Sequence, residues 1–530
     1  MKKIIFLLAA LLTTACAIAQ QNPRVTTKNG VLEGTYQSGL NVFLGVPFAQ
    51  PPVGDLRWVE PQPVKNWEGV RQAKEFGPNP MQTNVFGDMA FNTKKMSEDC
   101  LYLNIWSPAK SAADKLPVFI YFNGGGLIAG SGSEPRYAGD IMAHEGIVCI
   151  TANYREGIFG FYSNPELSSE TSYKGSGNYG HMDQAAAIKW VKDNIAAFGG
   201  DPDHITIMGE SAGSGSVSAL MASPMSKGLI AQAMGSSGSV LVAKNIMKLS
   251  DAEKAGVETM KKMGCKSIKE MRALSAEELL KRSQGGIHWG NVVDGRFFTE
   301  SPVEVYRKGQ QAQVPLLVGG NNLEFPVMWR MQGKPATRAA LKEMAKAYYG
   351  DRTDEVMAAF GINNDADANS TPGNNLSAAM FIDYSTWKWS EMQRATSSKP
   401  VYRYRFTHPR PDMRENKEAM LAGGTRESAT KAPLLPGAVH SADIEYEMGT
   451  LPTNRVYDWT PCCYNTSKVF LKYYANFIKT GNPNGLGLPE WKPCNGQAVP
   501  GVLMLDENSY MSSEANIDNA YRVIDQILGK

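Results

Sequence analysis

The chain has 530 residues, of which 43% are hydrophobic and 20% are charged, and its formal net charge is +2. This composition is too apolar for a disordered protein and predicts a large buried core. The nearly neutral charge gives no indication of nucleic acid or of an anionic membrane surface as a partner.

Residues 1–19 are predicted to form a signal peptide. Two lysines at 2–3 precede an apolar run at 4–12, and the tripeptide Ala-Ile-Ala at 17–19 has the small-x-small pattern of a cleavage site. We therefore expect an exported protein, periplasmic or secreted, whose mature chain begins at Gln20.

Attachment of the exported protein to a membrane could take two forms. Acylation at Cys16 would make a lipoprotein, but Thr13 stands where such a signal has Leu. No later run approaches the ~20 apolar residues that a membrane span needs. We therefore predict no membrane span, and we keep the lipoprotein as an alternative.

Short β-rich runs alternate with helical patterns along the mature chain. Residues 118–122 and 147–152 read as strands, 183–198 place apolar residues at near-helical spacing, and 205–208 and 315–318 read as further strands. This alternation is typical of an α/β fold with a large, mostly parallel, doubly wound sheet.

The second half of the chain carries a helical insertion in this pattern. Residues 334–360 predict a pair of helices with polar faces, whereas 363–375 are rich in Gly, Pro, Asn and Asp and predict a surface loop. We interpret 20–530 as one domain with a helical cap at about 330–395.

Six of the seven cysteines follow the predicted leader. Cys462, Cys463 and Cys494 are crowded together, and because an exported protein permits disulfides, this set is predicted to hold one. The segment has no CxxC spacing and no nearby His, so a metal site is not predicted there. No metal ion and no cofactor are expected.

The motif with the clearest chemistry is GESAG at 209–213. It fits G-x-S-x-G and lies between a predicted strand and a helix that begins near Ala212. Gly209 and Gly213 leave room where a tight turn brings neighbouring backbone against Ser211. We interpret Ser211 as a nucleophile at the positive end of a helix, while a Gly-rich turn without function is the alternative reading.

A serine nucleophile needs a base, and the chain has only six histidines. In hydrolases with this turn, the acid and then the His follow the Ser along the chain, which leaves His288, His408 and His440. His440 is favoured because small residues surround it, and His408 is the runner-up.

The acid that orients the base should leave a strand end between Ser211 and His440. Glu324 does so, because it follows the predicted strand at 315–318. Asp294 is the competing candidate.

Ordered sequence blocks cover nearly the whole mature chain. They are FLGVPFAQPPVGDLRW, SEDCLYLNIW, NYREGIFGF, GNYGHMDQAAAIKWV, GESAG, NVVDGRFF, VPLLVGGNNLE, and TGNPNG followed by Trp491. These blocks resemble the type-B carboxylesterases, a family of α/β-hydrolases that includes bacterial p-nitrobenzyl esterases, cholinesterases and the non-catalytic neuroligins. The resemblance implies that Ser211, Glu324 and His440 form the catalytic triad, and that Asp294 is structural.

The same resemblance gives a role to the glycines at 124–126. Family members stabilise the oxyanion with the second and third glycines of this run and the residue after the serine, which are Gly125, Gly126 and Ala212 here. A loop that only needs positive φ is the alternative reading.

Four residues beside this machinery are candidates for the substrate pocket. Asn123 and Leu127 flank the glycines, and both depart from the family pattern, as does Phe325 after the acid. Glu210, inside the serine motif, is the fourth candidate.

Together these features predict a serine carboxylesterase that hydrolyses small-molecule esters through an acyl-serine intermediate. An acyltransferase or a lactonase using the same triad is an alternative, because the acyl group can pass to an alcohol or to water. A neuroligin-like binding protein is a further alternative, although those proteins have generally lost the serine.

Overall fold

The computed structural model describes residues 22–529 except 84, 243–245, 285–289, 415–417, 421–425 and 429–434. The predicted signal peptide, Cys16 and the candidate His288 lie outside the described residues.

A large mixed sheet forms the centre of the described chain. Its eleven strands have the order β18-β17-β14-β13-β10-β9-β7-β8-β6-β4-β3, parallel from β17 to β8 and antiparallel at both edges. The strands of the described chain are β1 Arg24–Thr27, β2 Gly30–Glu33, β3 Thr35–Gln37, β4 Leu40–Pro47, β5 Val70–Gln72, β6 Tyr102–Ser107, β7 Leu116–Phe122, β8 Val148–Ala152, β9 Gly200–Glu210, β10 Gln232–Ser236, β11 Ile246–Lys248, β12 Asn291–Val293, β13 Leu316–Asn321, β14 Val401–Phe406, β15 Glu418–Met420, β16 Arg426–Ser428, β17 Gly501–Leu505 and β18 Tyr510–Ser513.

Helices cover both faces of this sheet. Alternate side chains of β7 enter two separate cores, with Val118 and Ile120 in one and Phe119 and Tyr121 in the other. The helices of the described chain are α1 Asp140–Ala143, α2 Gly157–Phe161, α3 Pro165–Glu170, α4 Tyr179–Asn194, α5 Ala212–Ala222, α6 Leu249–Lys262, α7 Ile268–Ala273, α8 Ala276–Arg282, α9 Pro302–Arg307, α10 Val327–Arg330, α11 Arg338–Tyr349, α12 Thr353–Ala359, α13 Asp365–Ala368, α14 Thr371–Phe381, α15 Asp383–Thr396, α16 Ile444–Met448, α17 Pro461–Thr480 and α18 Ala515–Leu528.

The predicted α/β class is confirmed. The four runs predicted as strands lie in β7, β8, β9 and β13, and the predicted helix at 183–198 corresponds to α4 and the short 3₁₀ turn Ile195–Phe198 that follows it. None of the helices in the described residues is long and apolar enough to cross a membrane.

Between β13 and β14 the chain forms the helices α10 to α15. The pair of helices predicted at 334–360 is confirmed by α11 and α12. Side chains of this insertion and of the C-terminal α18 share a separate apolar core, which includes Leu341, Val356, Leu376 and Ile524. The insertion is therefore packed as a unit above the sheet.

The surface loop predicted at 363–375 is wrong, because these residues form α13 and the first part of α14. The Asn364 side chain accepts a hydrogen bond from the amide of Asp367, and the Asp367 side chain accepts one from the amide of Asn364. This pair of bonds is a capping box. Ser370 precedes α14, and Pro372 lies in the first turn of that helix. The Asn, Asp, Ser and Pro residues that predict a loop here stand instead at the starts of two helices.

The predicted disulfide is also wrong, because Cys462, Cys463 and Cys494 are free thiols. Cys462 donates to Glu507 Oε2 at 3.1 Å, whereas Cys494 donates to the carbonyl of Gly501 at 3.3 Å. Cys463 lies on the first turn of α17, with Sγ 3.2 Å from Thr460 Oγ1. Although the three cysteines are near in sequence, each sulfur contacts a group other than the two remaining sulfurs.

Candidate active site

Ser211 occupies the sharp turn between β9 and α5. Its backbone has φ 57° and ψ −123°, a conformation that is strained for a residue other than glycine. A Cβ on Gly209 would come within 2.3 Å of the Gly213 carbonyl carbon, and one on Gly213 within 2.2 Å of the Phe122 carbonyl oxygen. The predicted steric role of the two glycines is confirmed.

His440 joins Ser211 to Glu324 through two hydrogen bonds. Its Nε2 lies 2.9 Å from Ser211 Oγ, and its Nδ1 lies 2.7 Å from Glu324 Oε2. The amide of His440 also donates to the carbonyl of Glu324 at 3.1 Å. The structure thus brings the three predicted residues together from segments that lie far apart in the sequence.

Glu324 is fully buried at the end of β13, and its carboxylate is held as an anion. The amide of Asn321 donates to Oε1 at 2.6 Å, and the hydroxyl of Ser237 donates to the same atom. Burial alone would raise the pKa of Glu324, but the hydrogen bonds from His440, Ser237 and Asn321 outweigh burial and lower the pKa.

The competing candidates take part in other contacts. Asp294 Oδ1 accepts the amides of Arg296 at 3.1 Å and Phe298 at 2.9 Å, so its carboxylate shapes the turn after β12. His408 Nδ1 lies 2.7 Å from Asp506 Oδ1. Neither residue contacts Ser211 or His440 in the described structure.

Glu210 lies behind His440, not in the cavity. Its Oε1 is 3.4 Å from His440 Nε2 and accepts the Ser441 hydroxyl at 3.1 Å. Burial raises the pKa of Glu210 to about 8. Burial lowers the pKa of His440, whereas the charges of Glu210 and Glu324 raise it, and the net direction is upward.

The glycine loop after β7 lies against Ser211. A Cβ on Gly124 would stand 3.0 Å from Ser211 Cβ, and Gly125 has φ +107° with the carbonyl of Ala129 only 1.9 Å from the position of a Cβ. The amides of Gly125 and Gly126 have no hydrogen-bond acceptor among the described residues. Ala212 is the first residue of α5, so its amide has no partner within the helix either.

The two residues that flank the glycines have different positions. The Asn123 side chain is buried behind the loop, where Nδ2 donates to the Gly124 carbonyl at 2.9 Å and to Glu156 Oε1 at 3.2 Å. Leu127, with φ +61°, lies on the cavity side and packs with Phe161. Of the predicted pocket residues, only Leu127 lines the cavity.

A cavity of about 440 Å³ opens at Ser211 between the sheet and the insertion. Its wall on the sheet side includes the glycine loop, the first turns of α5 and the segment after β10. The opposite wall comes from α11, α14, α15 and α18. The lining residues in the described chain are Gly126, Leu127, His181, Ser211, Ala212, Gly215, Ser216, Gly238, Ser239, Val240, Val242, Gly290, Asn291, Tyr348, Tyr349, Ala379, Met380, Phe381, Ile382, Tyr384, Ser385 and Leu528.

Phe381 is a site residue that the sequence did not suggest. Its ring centroid lies 4.9 Å from that of His440 in an edge-to-face arrangement, although 42% of the residue is exposed. Phe325 lies on the other side of Phe381, with ring centroids 5.2 Å apart, and does not line the cavity. An exposed aromatic at a helix end in an insertion carries no motif that could have identified it.

Comparison with known proteins gives the family. The model of the carboxylesterase family matches residues 21–521. A fumonisin B1 esterase of Sphingopyxis macrogoltabida is 38% identical over 416 residues, which cover 74% of this chain and 73% of that protein. Carboxylesterase 1E of Mus musculus is 32% identical and covers 92% and 91%.

The chain belongs to the carboxylesterase family. The crystal structure of a carboxylesterase of Geobacillus stearothermophilus superposes on this carboxylesterase with a TM-score of 0.80 at 30% identity, covering 94% of this chain and 99% of that chain. A p-nitrobenzyl esterase gives a TM-score of 0.79 at 26% identity with similar coverage. The α/β-hydrolase fold and the predicted enzyme class, carboxylic ester hydrolase, are thereby confirmed.

Proposed function

We propose that this carboxylesterase is an exported serine esterase that works through an acyl-serine intermediate. The observation that carries the proposal is the pair of contacts that join His440 Nε2 to Ser211 Oγ at 2.9 Å and His440 Nδ1 to Glu324 Oε2 at 2.7 Å. A serine hydroxyl is activated when a base contacts it and a carboxylate orients that base, which is the arrangement of Ser211, His440 and Glu324.

In the proposed mechanism, Ser211 Oγ attacks the ester carbonyl while His440 Nε2 accepts the hydroxyl proton. Glu324 stabilises the imidazolium that forms, because its carboxylate is already ionised and bonded to Nδ1. His440 then gives the proton to the leaving alkoxide. Water, activated by the same imidazole, releases the acid from Ser211.

The oxyanion is proposed to be stabilised by the amides of Gly125, Gly126 and Ala212. Each of these donors lacks a partner in the described backbone, and the loop that carries two of them lies against Ser211. Donors fixed in advance stabilise developing charge by roughly 3 kcal/mol each.

A fluorophosphonate label tests the nucleophile directly. We expect mass spectrometry to find the label on Ser211, and an unlabelled protein would instead support a binding protein without catalysis. Product analysis with an added alcohol would separate hydrolysis from acyl transfer. Export, which rests on the leader pattern, predicts a mature N-terminus at Gln20 in protein recovered outside the cytoplasm.

Gly125→Ala is expected to lower kcat by about 10²- to 10³-fold, the usual cost of one lost oxyanion donor. The added Cβ would meet the Ala129 carbonyl at 1.9 Å at a φ of +107°, so the amide must move. Gly228→Ala is the matched control, because this exposed glycine also has a positive φ, of +76°, while a Cβ there meets nothing within 4 Å and the residue does not line the cavity. Equal kcat values for the two variants in a p-nitrophenyl butyrate assay would contradict the role of Gly125.

The pH profile of Glu210→Gln tests the electrostatics of the base. In the wild type, kcat/KM should rise as the pH rises through the pKa of His440, because only neutral imidazole accepts the Ser211 proton. Removing the Glu210 carboxylate removes one charge that raises this pKa, so the rise should move to lower pH. An unmoved profile would mean that Glu210 is already protonated over that range.

A further inference from the structure

One wall of the cavity carries a chain of four uncharged polar side chains. Gln184 Nε2 donates to Ser216 Oγ at 3.0 Å, and Gln184 Oε1 lies 3.0 Å from His181 Nδ1. His181 Nε2 lies 2.7 Å from Asn291 Oδ1. Of these four residues, His181, Ser216 and Asn291 line the cavity.

Burial favours the neutral form of the imidazole at the centre of this chain. His181 is completely buried, and burial lowers its pKa. Its ring stacks on Phe297 with centroids 5.2 Å apart and meets Phe161 edge-on at 5.1 Å. A neutral imidazole donates through one nitrogen and accepts through the other, so its two amide neighbours must present one acceptor and one donor.

Two arrangements satisfy that requirement. If Gln184 accepts from His181 Nδ1, then Asn291 must turn its amide group to donate to Nε2, which leaves its oxygen unbonded. If Gln184 is turned instead, its oxygen accepts from the Ser216 hydroxyl, and His181 Nε2 donates to the Asn291 oxygen, which leaves the Asn291 nitrogen without a partner. In both cases one amide atom of the Asn291 side chain has no partner among the described residues, where its contact is with His181 Nε2.

The remainder of the cavity wall indicates the rest of the ligand. No Asp, Glu, Lys or Arg is among the described residues that line it, and the far wall presents Tyr349, Met380, Phe381 and Leu528. A charged group would have no counter-ion in such a cavity. A hydroxyl both donates and accepts, so it can bond to Asn291 in either arrangement.

Ser211 and Asn291 line the same cavity, so one ester can place its carbonyl at Ser211 and a remote hydroxyl at Asn291. Ser216 lies on α5, five residues after Ser211. Gly215 leaves the wall between them open, because a Cβ there would meet nothing within 4 Å.

We propose that this esterase selects neutral esters with an apolar body and one hydroxyl remote from the ester group, which bonds to the Asn291 side chain held by His181. This specificity rests on the proposed function of Ser211. Asn291 is the residue that contacts the substrate, and His181 is a positioning residue that fixes the Asn291 amide.

Matched esters that exchange a methyl for a hydroxyl test the proposal. On the acyl side, p-nitrophenyl heptanoate is compared with p-nitrophenyl 6-hydroxyhexanoate. On the alcohol side, heptyl butyrate is compared with 6-hydroxyhexyl butyrate. In one of the two series, kcat/KM should favour the hydroxylated member by roughly tenfold, as expected for one buried hydrogen bond.

Three variants locate the selecting group. Asn291→Leu should abolish the preference, and His181→Leu should reduce it without loss of the folded state as judged by Tm. Tyr349→Phe, which removes a hydroxyl from the opposite wall, should leave the ratio unchanged.

Several results would overturn the proposal. These are no hydroxyl preference in either series, a preference that survives Asn291→Leu, or a preference lost in Tyr349→Phe instead. Absence of hydrolysis of every ester, including p-nitrophenyl butyrate, would contradict the proposed function and not the specificity.

Discussion

Replacing Ser211 by alanine is expected to lower kcat for p-nitrophenyl butyrate by about 10⁴- to 10⁶-fold, the range seen when a serine nucleophile is removed. The change deletes the atom that His440 Nε2 contacts at 2.9 Å and leaves the Cβ and the turn in place. Steady-state kinetics on purified protein with burst titration would measure the loss.

The fold of this variant should be preserved, because the Oγ atom makes its only described hydrogen bond with His440. An unchanged Tm and an unchanged circular dichroism spectrum are the controls. Retained turnover in a preparation free of other esterases would refute Ser211 as the nucleophile.

Replacing Glu324 by glutamine is expected to lower kcat by about 10³- to 10⁴-fold with little change in KM. The amide cannot stabilise the imidazolium of His440, although it occupies the same space and can still accept from Asn321. The reaction therefore loses an interaction that strengthens only when His440 takes the proton.

Asp294→Asn is the matched control for this prediction. Asp294 shapes a turn and does not contact His440, so its loss should cost about 1 to 3 kcal/mol of folding free energy and leave kcat nearly unchanged. Denaturant unfolding and kinetics on both variants give the two quantities separately. A larger fall in kcat for Asp294→Asn than for Glu324→Gln would reverse the assignment of the acid.

The features that sequence reasoning could predict are those whose causes are local. The turn at Ser211 depends on two neighbouring glycines, and β9 and α5 on either side have their own periodicity. Glu324 was favoured because a strand ends just before it. The resemblance to a family added the preference over Asp294, which the chain order alone left open.

The features that the sequence alone could not predict depend on packing between distant segments. His181 and Asn291 meet across 110 residues, and Phe381 reaches His440 from an insertion. The Asn123 side chain was expected in the pocket, but it turns behind the glycine loop because Glu156 offers an acceptor there. The segment 363–375, predicted as a loop, forms α13 and the first part of α14, because helix caps and loops use the same residue types.

The separation of the site residues along the chain has a consequence for the order of folding. His440 lies 229 residues after Ser211 and 116 after Glu324, so the hydroxyl meets its base only when contacts of very long range have formed. Such contacts carry a high entropic cost of loop closure and form late. We therefore expect Ser211 to be unreactive in the growing chain, and its reactivity towards a covalent label to report that folding is complete.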